Sequence, residues 1–311
     1  MKTMTRTTER LKFEAWRTRS LAGIEAGLAK ALDQRAQNQP PEVAALFEAM
    51  GYALLGGGKR LRPLLALAAA EAVGGRAREA LPAALAVEMV HAYSLVHDDL
   101  PAMDDDDLRR GRPTCHKVYG EGLAVLAGDA LLTLSFEILA DRGGRSPEAA
   151  RRVSRAAVQL ARSAGAVGMV GGQARDLAFE GRSDISGDMV RDMEWRKTGE
   201  MITAALCCGA IMGGAGPADL RTLREIGLNI GPAFQIRDDL LNLDGDPAVL
   251  GKAVGSDAER RKASFPAVMG VEAARRELDE LAEKALTAAA SFKLRGRHLA
   301  GLVDSLVNRR M

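Results

Sequence analysis

The chain has 311 residues, enough for one large core of many helices, and its 47% hydrophobic content with only 4% aromatics favours packed helices over sheet or disorder. Its 43 basic and 41 acidic residues leave a net charge of +2, so no global field recruits nucleic acid and charge-driven function must rest on local clusters. Cys115, Cys207 and Cys208 lack metal-type spacing, which fits a reducing compartment and implies no thiol chemistry.

Apolar residues recur at three- and four-residue intervals along most of the chain, so the expected fold is all-α: a single bundle of about ten or more helices. The opening MKTMTRTTERLKFEAW lacks a signal-type apolar stretch, and no later run reaches the roughly 18 apolar residues of a spanning helix. A cytoplasmic protein without a membrane span is therefore expected. The first predicted helices cover 8–36 and 42–56. Next comes LLGGGKRLRP, where Gly56, Gly57 and Gly58 permit close backbone approach and Lys59, Arg60 and Arg62 supply cations. A phosphate-binding P-loop is excluded, because Ala53 and Arg60 stand where its first Gly and its Ser/Thr belong. An anion site gripping a phosphate by Arg forks and a Lys point charge remains, beside the plainer option of solvated bases at a helix start.

Predicted helices follow over 60–74 and 80–107, the latter ending in HDDLPAMDDDDLRRGRP. Asp98, Asp99 and the run from Asp104 to Asp107 repel one another at the end of an apolar segment, a conflict that a bound cation would relieve. Hard oxygen donors without a surrounding His/Cys set favour magnesium; a solvated acidic turn is the alternative. Helices over 120–141, 147–169 and 187–213 come next, and WRKTGEM places Lys197 and Thr198 on the last of these. The helix predicted over 217–243 carries the second pair, Asp238 and Asp239 in FQIRDD. Position 242, on the same face as Asp238, is Asn242, an uncharged ligand that would hold metal more weakly than Asp. Helices over 264–292 and 296–309 complete the chain. No break between elements has the length or composition of a linker, so residues 1–311 are expected to form one domain.

GGGKRLRP, HAYSLVHDDLPAMDDDDLRRGRPT, LAGDALLT, GMVGGQARDL, RKTG and FQIRDD together resemble the trans-polyprenyl diphosphate synthases, most closely the bacterial farnesyl diphosphate synthases. That resemblance implies a helical bundle around a central active-site cavity, and magnesium, about three ions per site once substrate is bound. Asp98, Asp104 and Asp238 would hold metal, with Asp99 and Asp239 assisting. Lys59, Arg62, His91 and Arg110 would bind isopentenyl diphosphate. Arg109, Lys197, Thr198, Gln235, Lys252 and Lys262 would contact the allylic diphosphate. Tyr93, followed by the small Ser94, would floor the product pocket and favour farnesyl diphosphate, with geranylgeranyl diphosphate the alternative. The basic end, with Asn308, Arg309 and Arg310, would close over the site, and the protein would be a homodimer. Since six residues carry a straight helix well past one face, Pro101 or a bulge must redirect the chain for Asp98 and Asp104 to meet. Rival readings are a metal phosphohydrolase using the adjacent His97 and Asp98, a non-catalytic synthase subunit, motivated by Asn242, and a terpene cyclase, disfavoured by the scarcity of aromatics.

Overall fold

The computed structural model describes residues 2–141, 143–182, 184–244 and 264–307. The protein is all-α, as the periodicity predicts. Its helices are α1 (Lys2–Ala36), α2 (Pro41–Leu54), α3 (Leu61–Ala72), α4 (Ala77–Asp98), α5 (Cys115–Tyr119), α6 (Glu121–Ala140), α7 (Pro147–Ala164), α8 (Met169–Phe179), α9 (Gly187–Glu194), α10 (Glu200–Gly213), α11 (Pro217–Asp244), α12 (Phe265–Met269), α13 (Val271–Ala290) and α14 (Arg297–Val307). Two predicted starts fall on side-chain caps: Ser146 accepts the Ala149 N–H at 3.1 Å and Ser186 the Met189 N–H at 3.3 Å.

Helix α10 is the axis of the bundle. Its segment from Met201 to Met212 is buried on every side, as its apolar sequence requires, and it packs against α3, α4, α7 and α11. Small residues set the α3–α10 distance: a Cβ on Gly209 would meet the Ala66 carbonyl at 2.0 Å. Helix α4 passes from the core to the site and ends at Asp98, nine residues short of the expected 107, because the chain turns there.

Three differences from expectation affect the site. Helix α8 occupies a stretch left without an element, and Gly270 divides the last long helix into α12 and α13. A two-stranded antiparallel ribbon, β1 (Leu108–Arg109) and β2 (Arg112–Pro113), pairs Arg109 with Arg112. Helix α6, with a mean hydropathy of 1.8, is the one helix among the described residues long and apolar enough to cross a bilayer. Reading for an unbroken run missed it because Gly128, Asp129 and Thr133 interrupt it. Here α6 packs against α4, α2 and α5.

Arg60 is a structural anchor, not a member of the anion site. It is 3% exposed; its guanidinium donates to Glu25 (2.7 and 3.2 Å), Glu88 (2.8 Å) and the Leu54 carbonyl (2.8 Å). Burial alone would lower its pKa, but the two glutamates outweigh that and raise it. Arg60→Met strands the buried Glu88 and is expected to cost about 3–5 kcal/mol. Thermal unfolding checks this, with Tm expected to fall by roughly 10 °C.

Candidate active site

After Asp98 the chain doubles back. The Asp104 N–H donates to the Asp98 carbonyl at 2.8 Å, the Met103 and Asp105 N–H groups bond the Leu100 carbonyl at 2.9 and 3.1 Å, and Asp105 adopts φ 47°. This turn, which contains Pro101, brings together two aspartates that a continuous helix would hold roughly 120° apart. Asp104 is 7% exposed and, like Asp98, lies near enough to Lys197 to raise its pKa.

Helix α8 and the π-helical turn Trp195–Gly199 form the opposite wall. A Cβ on Gly172 would meet the Lys197 backbone nitrogen at 2.3 Å, so only glycine allows these segments so close. That approach delivers Gln173, which donates to Asp98 Oδ1, and Asp176, which accepts from Lys197 Nζ at 2.6 Å. The same ammonium lies 4.0 Å from Asp98 Oδ2. Burial pushes the Lys197 pKa down, but Asp98, Asp176 and Asp104 outweigh it and hold the group well above its ordinary value. Lys197 is a half-buried cation that stays charged near pH 7. Gln173 and Asp176 had no assigned role in the sequence, although GMVGGQARDL contains both.

The next residue reaches the second acidic pair. Thr198 Oγ1 donates to Gln235 Oε1 at 3.5 Å, and Gln235 Nε2 donates to Asp239 Oδ1 at 2.9 Å. Asp239 also accepts the Phe265 N–H at 3.2 Å, which fixes the start of α12. A Cβ on Gly231 would meet Gly199 Cα at 2.4 Å, so α11 is pressed against the π turn. In each Asp-Asp pair the second member is the more buried. Asp99 is 3% exposed and accepts from Arg109 Nε at 2.8 Å; Asp239 is 8% exposed and is bonded as above. Asp238 is half-buried on α11. The Asn242 side chain, Lys252, Lys262, Asn308, Arg309 and Arg310 lie outside the described residues.

The ribbon organises the basic side. Arg110 (φ 54°) and Gly111 (φ 73°) form its two-residue tip, the type I′ geometry that suits a tight hairpin. Arg109 turns to Asp99 and Asp106, whereas Arg110 lies over Gly58 and donates to the Gly57 carbonyl. Arg62 Nε is buried with no hydrogen-bond partner. Burial and the neighbouring Arg110 lower the Arg62 pKa against the opposing pull of Glu88. Burial, followed by Arg62 and Arg110, holds His91 well below its ordinary value, so it is neutral near pH 7. Burial lowers the Arg110 pKa as well, against the pull of Glu88. Lys59 is exposed at its edge.

Tyr93 is 7% exposed and meets His97 edge-on at 5.7 Å. Ser94, one turn before Asp98 on the same face, donates to the His91 carbonyl at 2.9 Å. His97 Nε2 lies 3.0 Å from the Val125 carbonyl and against Gly128, an α6 contact and not a shared metal site with Asp98. Among the described residues no three carboxylate, His or Cys groups converge into a ready metal cage. An oxygen-only donor set with Asp98 and Asp104 brought together still suits magnesium, which keeps water and takes phosphate oxygens to complete its shell.

Residues 43–294 match the family model described as polyprenyl synthetase. The chain is 42% identical over 264 residues to a geranylgeranyl diphosphate synthase of Cyanophora paradoxa, covering 85% of this chain and 87% of the relative. It is 45% identical over 235 residues to a farnesyl diphosphate synthase of Bacillus subtilis, covering 76% and 79%. The crystal structure of an FPP/GFPP synthase from Zymomonas mobilis superposes with a TM-score of 0.83 at 34% identity, covering 96% of this chain and 99% of that one. The chain belongs to the polyprenyl synthetase family of prenyltransferases.

Proposed function

We propose that the protein condenses isopentenyl diphosphate with dimethylallyl or geranyl diphosphate to form farnesyl diphosphate, in a single domain. One observation carries this reading. Lys197 lies 4.0 Å from Asp98 and the adjacent Thr198 bonds Gln235, which bonds Asp239, while Arg62 and Arg110 beside the neutral His91 offer cations away from those carboxylates. Two anion sites of different chemistry suit two diphosphates, one with metal and one without.

Asp98, Asp104 and Asp238 are the proposed magnesium carboxylates, with Asp99 and Asp239 supporting them from the scaffold. Bound magnesium supplies neutralisation of the leaving diphosphate. Lys197 and Arg109, with Lys252 and Lys262, hold the allylic diphosphate; Thr198 and Gln235 lie beside the carbon it leaves. Lys59, Arg62, Arg110 and the neutral His91 hold isopentenyl diphosphate so that its double bond faces that carbon. The allylic C–O bond breaks with its electron pair going to diphosphate. The double bond then attacks the cation, and a proton passes to the departed diphosphate.

The buried Tyr93 supports the fifteen-carbon product. Tyr93→Ala removes a buried ring from α4 and is expected to shift the main product to twenty carbons or longer, read by mass spectrometry. A wild-type product already of twenty carbons would exclude Tyr93 as the floor.

A homodimer is the proposed assembly. Helix α6 leaves Val125 and Leu126 40% and 54% exposed, next to Val118 at 47%, a face suited to a two-fold partner. Sedimentation is expected to give a dimer for the wild type and a monomer for Leu126→Glu; a stable, active wild-type monomer would remove the dimer. The cytoplasm is the proposed compartment, supported by three buried free thiols.

A further inference from the structure

The bundle end opposite Asp98 carries a second charged concavity. There α3 and α10 finish, α11 begins, and the 3-10 turn Lys293–Gly296 leads into α14. Between them lies a groove of about 620 Å³, whose lining includes Val73, Phe292, Lys293, Leu294, Arg295 and Arg297.

Its charges are not compensated internally. Lys293, Arg295 and Arg297 form no ion pair among the described residues; Arg297 donates only to His298 Nε2, at 3.2 Å. Some arginines elsewhere are paired, as Arg35 is with Glu137, Arg191 with Glu277 and Arg196 with Asp192, so the groove stands out by the number of its cations in one concavity. The acids near this end are each hydrogen-bonded, and the one in the groove, Asp219, stands against three cations, so the groove is net positive. Asp219, the one carboxylate lining the groove, accepts the Gly216 N–H at 3.1 Å; Glu71 is shared by Trp16 and His298; Glu148 is held by Arg151 and Arg152.

Leu294 adds an apolar tip. It is 72% exposed, the most exposed large hydrophobic side chain among the described residues, and basic residues stand on both sides of it. The turn that presents it holds Lys293 at φ 53°, a left-handed conformation that side chains other than Gly, Asn and Asp seldom adopt.

We infer that this end of the bundle docks on an anionic lipid surface, with lipid phosphates in the basic groove and Leu294 inserted among the headgroups. A protein partner fits less well: a stable interface buries about 800 Å² per side around an apolar centre, and here a single leucine stands among cations. Surface binding needs only a modest apolar insertion combined with local basic charge.

The test is co-sedimentation of the full chain with phosphatidylcholine vesicles, with and without phosphatidylglycerol. Binding is expected only to the anionic vesicles, declining as salt rises. The K293Q/R295Q double variant is expected to bind roughly 25-fold more weakly, about fivefold per cation. Leu294→Asp is expected to lose roughly tenfold. Both variants should retain full condensation activity on water-soluble substrates, which reports an intact fold. Equal binding to neutral and anionic vesicles, or variants that bind like the wild type, overturns the inference. Absence of vesicle binding together with Arg295-dependent binding of inorganic phosphate assigns the groove to a free anion and also overturns it.

Discussion

Asp98→Asn is expected to lower kcat for condensation about 10³-fold, a loss of ~4 kcal/mol in transition-state stabilisation. The substitution keeps the side-chain shape, and the amide oxygen still accepts from Gln173, so the turn that brings Asp104 back is retained. What disappears is the negative charge that would hold magnesium for the diphosphate. Steady-state kinetics with a magnesium titration, alongside thermal unfolding, separates the two effects. The expected result is a large fall in kcat with Tm nearly unchanged. A comparable fall in Tm would make Asp98 a structural partner of Lys197 instead.

Arg62→Met is expected to raise KM for isopentenyl diphosphate about 10²-fold, the loss of a charge-assisted contact of ~3 kcal/mol, with KM for the allylic substrate unchanged. The same substitution is expected to leave the stability of the free protein unchanged or to raise it. It removes a buried cation whose Nε has no partner and which lies beside Arg110. Arg60→Met has the opposite signature, because Arg60 is fully bonded to Glu25, Glu88 and the Leu54 carbonyl. On the proposed reading Arg62 serves substrate binding and Arg60 serves folding, and kinetics measured with calorimetry distinguishes them. If Arg62→Met destabilised the protein as strongly as Arg60→Met, the anion-site assignment of Arg62 would fail.

Elements whose local sequence agrees with their packing were legible without the structure. The run expected over 187–213 is continuous through α9, the π turn and α10, because its apolar spacing and the Ser186 cap point the same way. Helix α4 was overextended because Leu100 and Met103 keep the helical spacing past Asp98. The fold-back is set by backbone hydrogen bonds that periodicity does not report. Helix α8 had no predicted element; its Gly171 and Gly172 are poor helix formers, and Gly172 serves a close approach to Lys197. With that helix went Gln173 and Asp176, the direct partners of Asp98 and Lys197. The ribbon tip was hidden for a similar reason: Arg110 takes a left-handed conformation usually filled by Asn, Asp or Gly. The distinct tasks within each Asp-Asp pair depend on partners distant in sequence, such as Phe265 for Asp239.

The most direct test of the account incubates the purified protein with isopentenyl diphosphate and geranyl diphosphate, with magnesium or with excess chelator, and identifies products by mass spectrometry. Farnesyl diphosphate is expected with magnesium, none with chelator, and none when isopentenyl diphosphate is omitted. Condensation at an equal rate under chelation, or none in either condition, would contradict it.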